Sequence, residues 1–341
     1  MSSWHKYKIL ALGDKIQQIK NGSFPIPVMG VLQLNYSCQQ NCKSCAFTDW
    51  NKANYVPTKE QTFYIINQLF DYGVRTFEFC GGGEPLLVPY FEEVIRYLLS
   101  KGCDYSLITN GVGFTDSLIE LVAQTASYCR VSLETGDREL YQEYKRVPAW
   151  HFDRVTENIG KLVAQKHPDT ELSVKFDVDI NLQGEKHIKD SYNLALRLGV
   201  DTAIFKGMTG WTEAEDTLKI EAEYQLKELM KDNKSKTTIV NSIYFDKTVP
   251  QCWLNPLHTL IDGYGDVYLC CYYYRPDAHT KENHCIGNVY KTPFKEIWES
   301  DNHWQKIKGI DKTQCPKFDC KFFNHHKIAE EVFKRGRLKI I

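Results

Sequence analysis

The chain has 341 residues, twelve cysteines, and 42 Lys and Arg against 43 Asp and Glu, for a formal net charge of −1. A chain this long buries a full core without disulfide staples. Its balanced charge leaves no electrostatic footprint for nucleic acid or an anionic membrane, and no apolar run reaches the roughly 18–20 residues of a membrane span.

The opening segment, MSSWHKYKILALGDKIQQIKNG, lacks the apolar core and small-residue cleavage site of a secretory signal. The expected setting is a reducing cytoplasm, where clustered cysteines serve as metal ligands or redox groups. Residues 1–27 read as an N-terminal extension. From there, β-type runs at 31–35, 75–80, 104–109, 129–134, 172–180 and 201–206 alternate with amphipathic helical patterns at 58–72, 89–101, 115–125, 151–165, 187–198 and 221–231. Thr58 and Gln61 stand at capping-box spacing, and Phe63, Ile66, Leu69 and Phe70 follow on one helical face. Six strand–helix units in a row predict an α/β fold with a parallel sheet over residues 28–235. The polar run DNKSK (232–236) ends this region, and residues 236–341 read as a second, loop-rich domain with a hairpin at 258–271 that turns at Gly263 and Gly265.

The first strand runs into Cys38, Cys42 and Cys45, spaced C-x3-C-x2-C. Three soft thiolates on one loop converge on zinc or an iron–sulfur cluster. No fourth Cys or His stands nearby to close a structural zinc site, whereas a 4Fe–4S cube held by three cysteines keeps one iron open. The alternative is zinc with a distant fourth ligand. The second strand ends in CGGGEP (80–85). Its glycines let main chain approach a ligand closely, and Glu84 offers an acceptor for an ammonium group. The loop has neither the GK[ST] of a phosphate loop nor the G-x-G-x-x-G of a dinucleotide site.

Together with Thr109-Asn110-Gly111 after the third strand and Ser132 in the fourth, these motifs resemble those of the radical S-adenosylmethionine (radical SAM) enzymes. The resemblance implies a partial (β/α)6 barrel. It also implies a 4Fe–4S cluster on Cys38, Cys42 and Cys45 whose open iron binds SAM, and cleavage of SAM to a 5′-deoxyadenosyl radical that abstracts substrate hydrogen. It assigns Gly82, Gly83 and Glu84 to the SAM amino group, Asn110 and Ser132 to its ribose or carboxylate, and Lys145 or Arg146 to its carboxylate. The aromatic residue usual before the third cysteine is replaced by Ser44, with Phe47 as a candidate substitute.

Alternation in the strands separates apolar sets (Leu32/Leu34, Phe77/Phe79, Val131/Leu133, Val174/Phe176/Val178/Ile180) from polar ones. A polar lumen is costly unless something polar fills it, so Gln33, Asn35, Lys175, Asp177 and Asp179 are candidate substrate residues. The alternative makes residues 175–179 the face of an exposed edge strand.

Six cysteines lie beyond residue 250. Cys252 and Cys270, with Gly265 five positions before Cys270, and the later pair Cys315 and Cys320 resemble the twitch domain, the shortened relative of the SPASM extension. The resemblance implies one auxiliary 4Fe–4S cluster on these four cysteines. Cys271 and Cys285 are candidate hydrogen-atom donors or replacement ligands. Cys80, Cys103 and Cys129 read as small core residues, and His325 and His326 as members of a polar helix face.

The leading functional expectation is a radical SAM oxidoreductase of the dehydrogenase type, acting on a small polar molecule such as a sugar, aminocyclitol or nucleotide sugar and fed electrons by a flavodoxin or ferredoxin. The alternatives are an epimerase with a cysteine hydrogen donor, a ribosomal-peptide-modifying enzyme, and a non-enzymatic zinc-binding or electron-transfer module.

Overall fold

The computed structural model describes residues 6–43, 45, 47, 55–178, 180–207, 216–231, 236–242, 252–270, 284–310 and 322–334. In chain order the elements are α1 (Gly13–Lys20), β1 (Met29–Gln33), α2 (Lys59–Tyr72), β2 (Thr76–Phe79), α3 (Phe91–Ser100), β3 (Asp104–Thr109), α4 (Asp116–Thr125), β4 (Tyr128–Glu134), α5 (Arg138–Lys145) and α6 (Trp150–Gln165). Then follow β5 (Glu171–Val178), α7 (Ile180–Leu198), β6 (Thr202–Gly207), α8 (Asp216–Lys231), β7 (Thr238–Ser242), β8 (His258–Asp262), β9 (Asp266–Tyr268), β10 (Cys285–Asn288), α9 (Phe294–Trp298), α10 (Asp301–Lys308) and α11 (Phe323–Ala329).

The chain forms two compact units, each discontinuous in sequence. One comprises Met1–Asn35, Tyr55–Glu78 and Asp246–Ile341, and the other comprises Tyr36–Asn54 and Phe79–Phe245. In the second unit β3 to β7 pair in sequence order, all parallel. The alternate apolar residues Val131, Leu133, Val174, Phe176, Val178 and Phe205 join one buried cluster with Val155 and Ile159 of α6 and Tyr192 of α7. The opposite strand face is also covered, with Glu134 and Asp177 buried. β5 is hydrogen-bonded on both sides, to β4 and β6, so residues 175–178 are not an edge strand.

In the first unit the strand order is β10-β9-β8-β1-β2. The expected hairpin is present: β8 and β9 pair antiparallel, and the turn closes at Gly265 with φ +80°, a conformation that favours glycine. β8 also pairs parallel with β1, from Met29↔His258 to Gln33↔Asp262. α2 starts as its capping box predicts. Thr58 Oγ1 accepts from Gln61 N at 3.2 Å, and Gln61 Oε1 accepts from Thr58 N at 2.8 Å. Its buried stripe is Thr62, Ile65, Ile66 and Leu69. Phe63 and Phe70 are only half-buried, and Phe70 lies under the Arg75 guanidinium at 4.0 Å.

Several elements were not expected from the sequence, among them α1, β7, α5 and the helices beyond residue 290. β7 lies just past the polar run read as the end of the first region. α5 is short and polar, and it is set by Asp137, whose side chain accepts from Leu140 N at 3.0 Å. Only Leu140, Tyr141, Tyr144 and Lys145 of α5 are buried, too few positions to announce a helical period.

Candidate active site

Three loops of the second unit meet. After β1 the chain enters Ser37 and the cysteine loop, after β2 it makes the glycine turn, and after β3 it makes the Thr-Asn-Gly turn. Gly81 and Gly82 have φ of +65° and +64°. A Cβ on Gly83 would stand 2.0 Å from the Ser37 carbonyl oxygen, and Glu84 N donates to that same oxygen at 2.7 Å. Glycine at 83 is therefore what lets the two loops touch.

The Glu84 carboxylate is buried and accepts from Leu86 N at 3.1 Å, Asn110 N at 2.8 Å and the Thr109 hydroxyl. Burial pushes its pKa up against these hydrogen bonds. The residue expected to receive an ammonium group thus ties the glycine turn to the Thr-Asn-Gly turn. Asn110 receives Gln39 Nε2 at 3.2 Å on its Oδ1, and its Nδ2 points at Cys38 Sγ at 3.8 Å.

The cysteine loop also rests on the end of α5. Asn41 N donates to Lys145 O at 3.1 Å and Lys43 N to Tyr144 O at 2.9 Å, so Cys42 sits between two main-chain bonds to that helix. Gln40 Nε2 donates to Tyr141 OH at 2.9 Å, and Lys43 Nζ meets Glu143 Oε1 at 2.5 Å. The last carbonyls of a helix have no intrahelical partner, and here the loop supplies one. The helix ends as Arg146 turns into the left-handed region at φ +53°.

Beside α5 lies a buried charged quartet. Lys145 Nζ donates to Ser132 O at 3.0 Å and reaches Glu134 Oε1 at 3.3 Å. Lys175 Nζ bridges Glu134 Oε2 at 2.6 Å and Asp177 Oδ1 at 2.5 Å, and Tyr144 OH donates to Asp177 Oδ2 at 2.7 Å. Burial opposes ionisation of Glu134, yet Lys175 and Lys145 hold its carboxyl well below the usual range. Burial, then the Glu134 charge, raises Asp177. Burial alone would lower Lys145, but the Cys42 and Glu134 charges reverse this and keep it an ammonium.

The structure therefore gathers Cys38, Cys42, Cys45, Gly82, Gly83, Glu84, Asn110, Ser132, Lys145, Lys175 and Asp177 within one unit. Arg146 is exposed. Gln33 and Asn35, both buried, belong to the other unit. Ser44, Asp179, Cys271, Cys315 and Cys320 lie outside the described residues. Sequence reasoning missed Ser37, Gln40, Tyr141 and Tyr144, and it placed Glu134 on the polar strand face with Ser132 without making it a site residue. Of the four missed, only Ser37 and Gln40 carried a signal, their proximity to the first cysteine.

The donor set suits an iron–sulfur cluster. Cys38 Sγ accepts from Gln40 N at 3.4 Å, and Cys45 Sγ accepts from Phe47 N at 3.4 Å. Such N–H···S bonds stabilise thiolate and tune a cluster. Burial pushes the Cys38 thiol up to about 12, so holding it as thiolate calls for a cationic partner.

In the other unit Cys252, Cys270 and Cys285 are half-buried and outside any disulfide. Cys285 opens β10, and its Sγ points at Gly287 O at 3.4 Å. Trp253, next to Cys252, donates its N–H to His326 Nδ1 at 3.2 Å and its indole N–H to Glu330 at 3.1 Å. His326 is thus buried rather than on a polar face, and burial lowers its pKa to about 3. Of the cysteines read as core, Cys103 and Cys129 are buried, while Cys80 is half-buried at the mouth of the glycine turn.

Residues 32–195 match the family profile of the Radical SAM superfamily, and residues 252–321 match that of SPASM, the iron-sulfur cluster-binding domain. The chain carries a radical SAM domain followed by a SPASM domain. The first domain implies a 4Fe–4S cluster and SAM, and the second implies auxiliary iron–sulfur clusters. An AdoMet-dependent heme synthase of Methanosarcina barkeri is 23% identical over 313 residues, covering 83% of this chain and 85% of that protein. The antilisterial bacteriocin subtilosin biosynthesis protein AlbA of Bacillus subtilis is 22% identical over 331 residues, covering 92% of this chain and 71% of AlbA. Streptococcus suis SuiB bound to precursor peptide SuiA shares the fold, with a TM-score of 0.68 at 15% identity over 93% of this chain and 73% of SuiB. Among the described residues no helix is long and apolar enough to cross a membrane.

Proposed function

We propose that this radical SAM enzyme modifies a peptide. The observation that carries the reading is the likeness to AlbA, which runs through 92% of this chain and is itself named for the biosynthesis of a bacteriocin, subtilosin. The fold shared with a SuiB–peptide complex is consistent with it. No relative described above is named for a sugar, so the peptide alternative displaces the small polar molecule expected from the polar strand faces. Those faces have another occupant in Lys175, Asp177 and Glu134, which satisfy one another.

In this reading Cys38, Cys42 and Cys45 hold the SAM-binding cluster, and Cys252, Cys270, Cys315 and Cys320 hold an auxiliary one. The domains divide at about residue 235. When bound, the cluster and SAM supply the one-electron chemistry that opens an unactivated C–H bond. The chain's own part is positional. Gly83 brings the glycine turn against Ser37, Glu84 locks that turn to Asn110, and Asn110 faces Cys38. An external one-electron donor of the flavodoxin or ferredoxin class supplies the electron.

Anaerobically reconstituted protein is expected to hold about eight irons per chain, four per cube, and to form 5′-deoxyadenosine with a mass change on a peptide encoded beside its gene. Deoxyadenosine formed with a tetrapyrrole and not with the peptide would overturn this reading for a second one, favoured by the heme synthase likeness over 83% of the chain. Solvent deuterium at the modified carbon would mark return of hydrogen by a thiol such as Cys285. Its absence would mark net oxidation.

A further inference from the structure

We propose that Lys145 is a positioning residue for the SAM-binding cluster, holding the Cys42 loop through its carbonyl and raising the cluster's reduction potential through its ammonium. This rests on the reading of Cys38, Cys42 and Cys45 as cluster ligands.

Two features of α5 carry the inference. The first is the direction of the helix. Its C-terminal carbonyls, those of Tyr144 and Lys145, face the residues on either side of Cys42. A helix C-terminus carries partial negative charge, which by itself opposes adding an electron to a thiolate-ligated cluster. The second is the placing of Lys145. Its side chain is 2% exposed, and its Nζ is fixed at 3.0 Å from Ser132 O and 3.3 Å from Glu134 Oε1, with the Tyr141 ring centroid at 5.8 Å. Tyr141 in turn holds Gln40, whose Oε1 is 3.8 Å from Cys42 Sγ. A cation in that position offsets the helix end, and burial shields it from salt screening.

The rest of the quartet sets how much of this charge is felt. Glu134 faces both lysines, while Asp177 and the Tyr144 hydroxyl occupy the far side of Lys175. A buried array of four charges is a poor way to gain stability, because apolar residues of like volume serve as well or better. An electrostatic task for it is the better account.

The cluster takes up one electron from the donor, here dithionite or a mediator poised electrochemically. The measurement is an equilibrium redox titration of reconstituted full-length protein without SAM, followed by electron paramagnetic resonance. The couple of interest is the one missing from Cys42→Ala. Lys145→Met is expected to lower its potential, so that the reduced-to-oxidised ratio at fixed poise falls roughly tenfold, or about 59 mV for one electron. Lys145→Arg restores it, and Glu134→Gln moves it the opposite way. Iron content equal to wild type with an unmoved potential in Lys145→Met overturns the proposal, as does a shift of the same sign in Lys145→Met and Glu134→Gln. If Lys145→Met loses the couple, an unmoved Glu134→Gln overturns it equally. Wild-type protein that retains no iron overturns the cluster assignment itself, a distinguishable failure.

Discussion

The loop bearing Cys38, Cys42 and Cys45 is held by main-chain bonds to α5 and by the Glu84 carboxylate through Asn110, and α5 is itself anchored by a buried set of lysines and acids. The segments bearing Cys252, Cys270 and Cys285 are held differently, by a hairpin ladder, by aromatic rings, by buried uncharged imidazoles and by single charged groups that bond main chain or ring N–H, such as Lys306 to Cys285 O and Glu330 to Trp253. Phe24 stacks at 4.0 Å on both His303 and Trp304, and His303 Nδ1 bonds Trp298 O at 2.7 Å. Charge near the first region tunes the chemistry there at a cost in stability, whereas neutral rings in the second region stabilise it. Perturbations should therefore read out as chemistry in one unit and as folding in the other.

The comparison is tested most severely by Cys42→Ala, which is expected to remove SAM cleavage altogether and about four irons per chain, leaving the iron of the SPASM domain. An unchanged iron count would break the comparison. Next comes Gly83→Ala. Its Cβ falls 2.0 Å from Ser37 O, so the glycine turn must part from the cysteine loop. SAM binding by calorimetry is expected to be lost, while the helical signal by circular dichroism stays close to wild type.

In the other unit the expected effect is on stability and depends on pH. Burial lowers His303 to about 4, below the roughly 6.5 of an exposed histidine. The unfolded chain therefore binds more protons between these values, and stability rises with pH across that window. The contribution is complete above pH 6.5 and lost as pH falls toward 4, an effect on the order of 3 kcal/mol. Urea midpoints at pH 7.5 and 5 are expected to converge in His303→Asn, and equal slopes in the two proteins would contradict the assignment. Thr58→Ala removes a capping box and should cost about 1 kcal/mol in the same urea assay. Smallest is Arg138→Ala, which breaks the exposed 2.6 Å pair with Asp153. No measurable change in midpoint is expected, since exposed pairs are screened by water and salt.

How much was legible follows from where each signal lives. The Thr58 capping box, the Gly263–Gly265 turn and the alternation of Val174, Phe176 and Val178 are local patterns, and the structure reproduces them. α5 was not legible because a helix with four buried positions carries almost no period. Its importance lies in which carbonyls it turns toward Asn41 and Lys43, about a hundred residues away. The same holds for Lys175 and Asp177, whose alternation announced a polar face but not that Glu134 would answer it.

By itself the sequence determined the α/β class, the radical SAM and iron–sulfur cofactors and the presence of two thiol-bearing regions, because strand alternation and cysteine spacing are local patterns. Only the tertiary structure decided that Glu84 ties loops together, that Lys145 is a buried ammonium beside Cys42, and that β8 returns to pair with β1. Those outcomes depend on partners distant in sequence, and whether a charge is free or neutralised is settled by what packs against it.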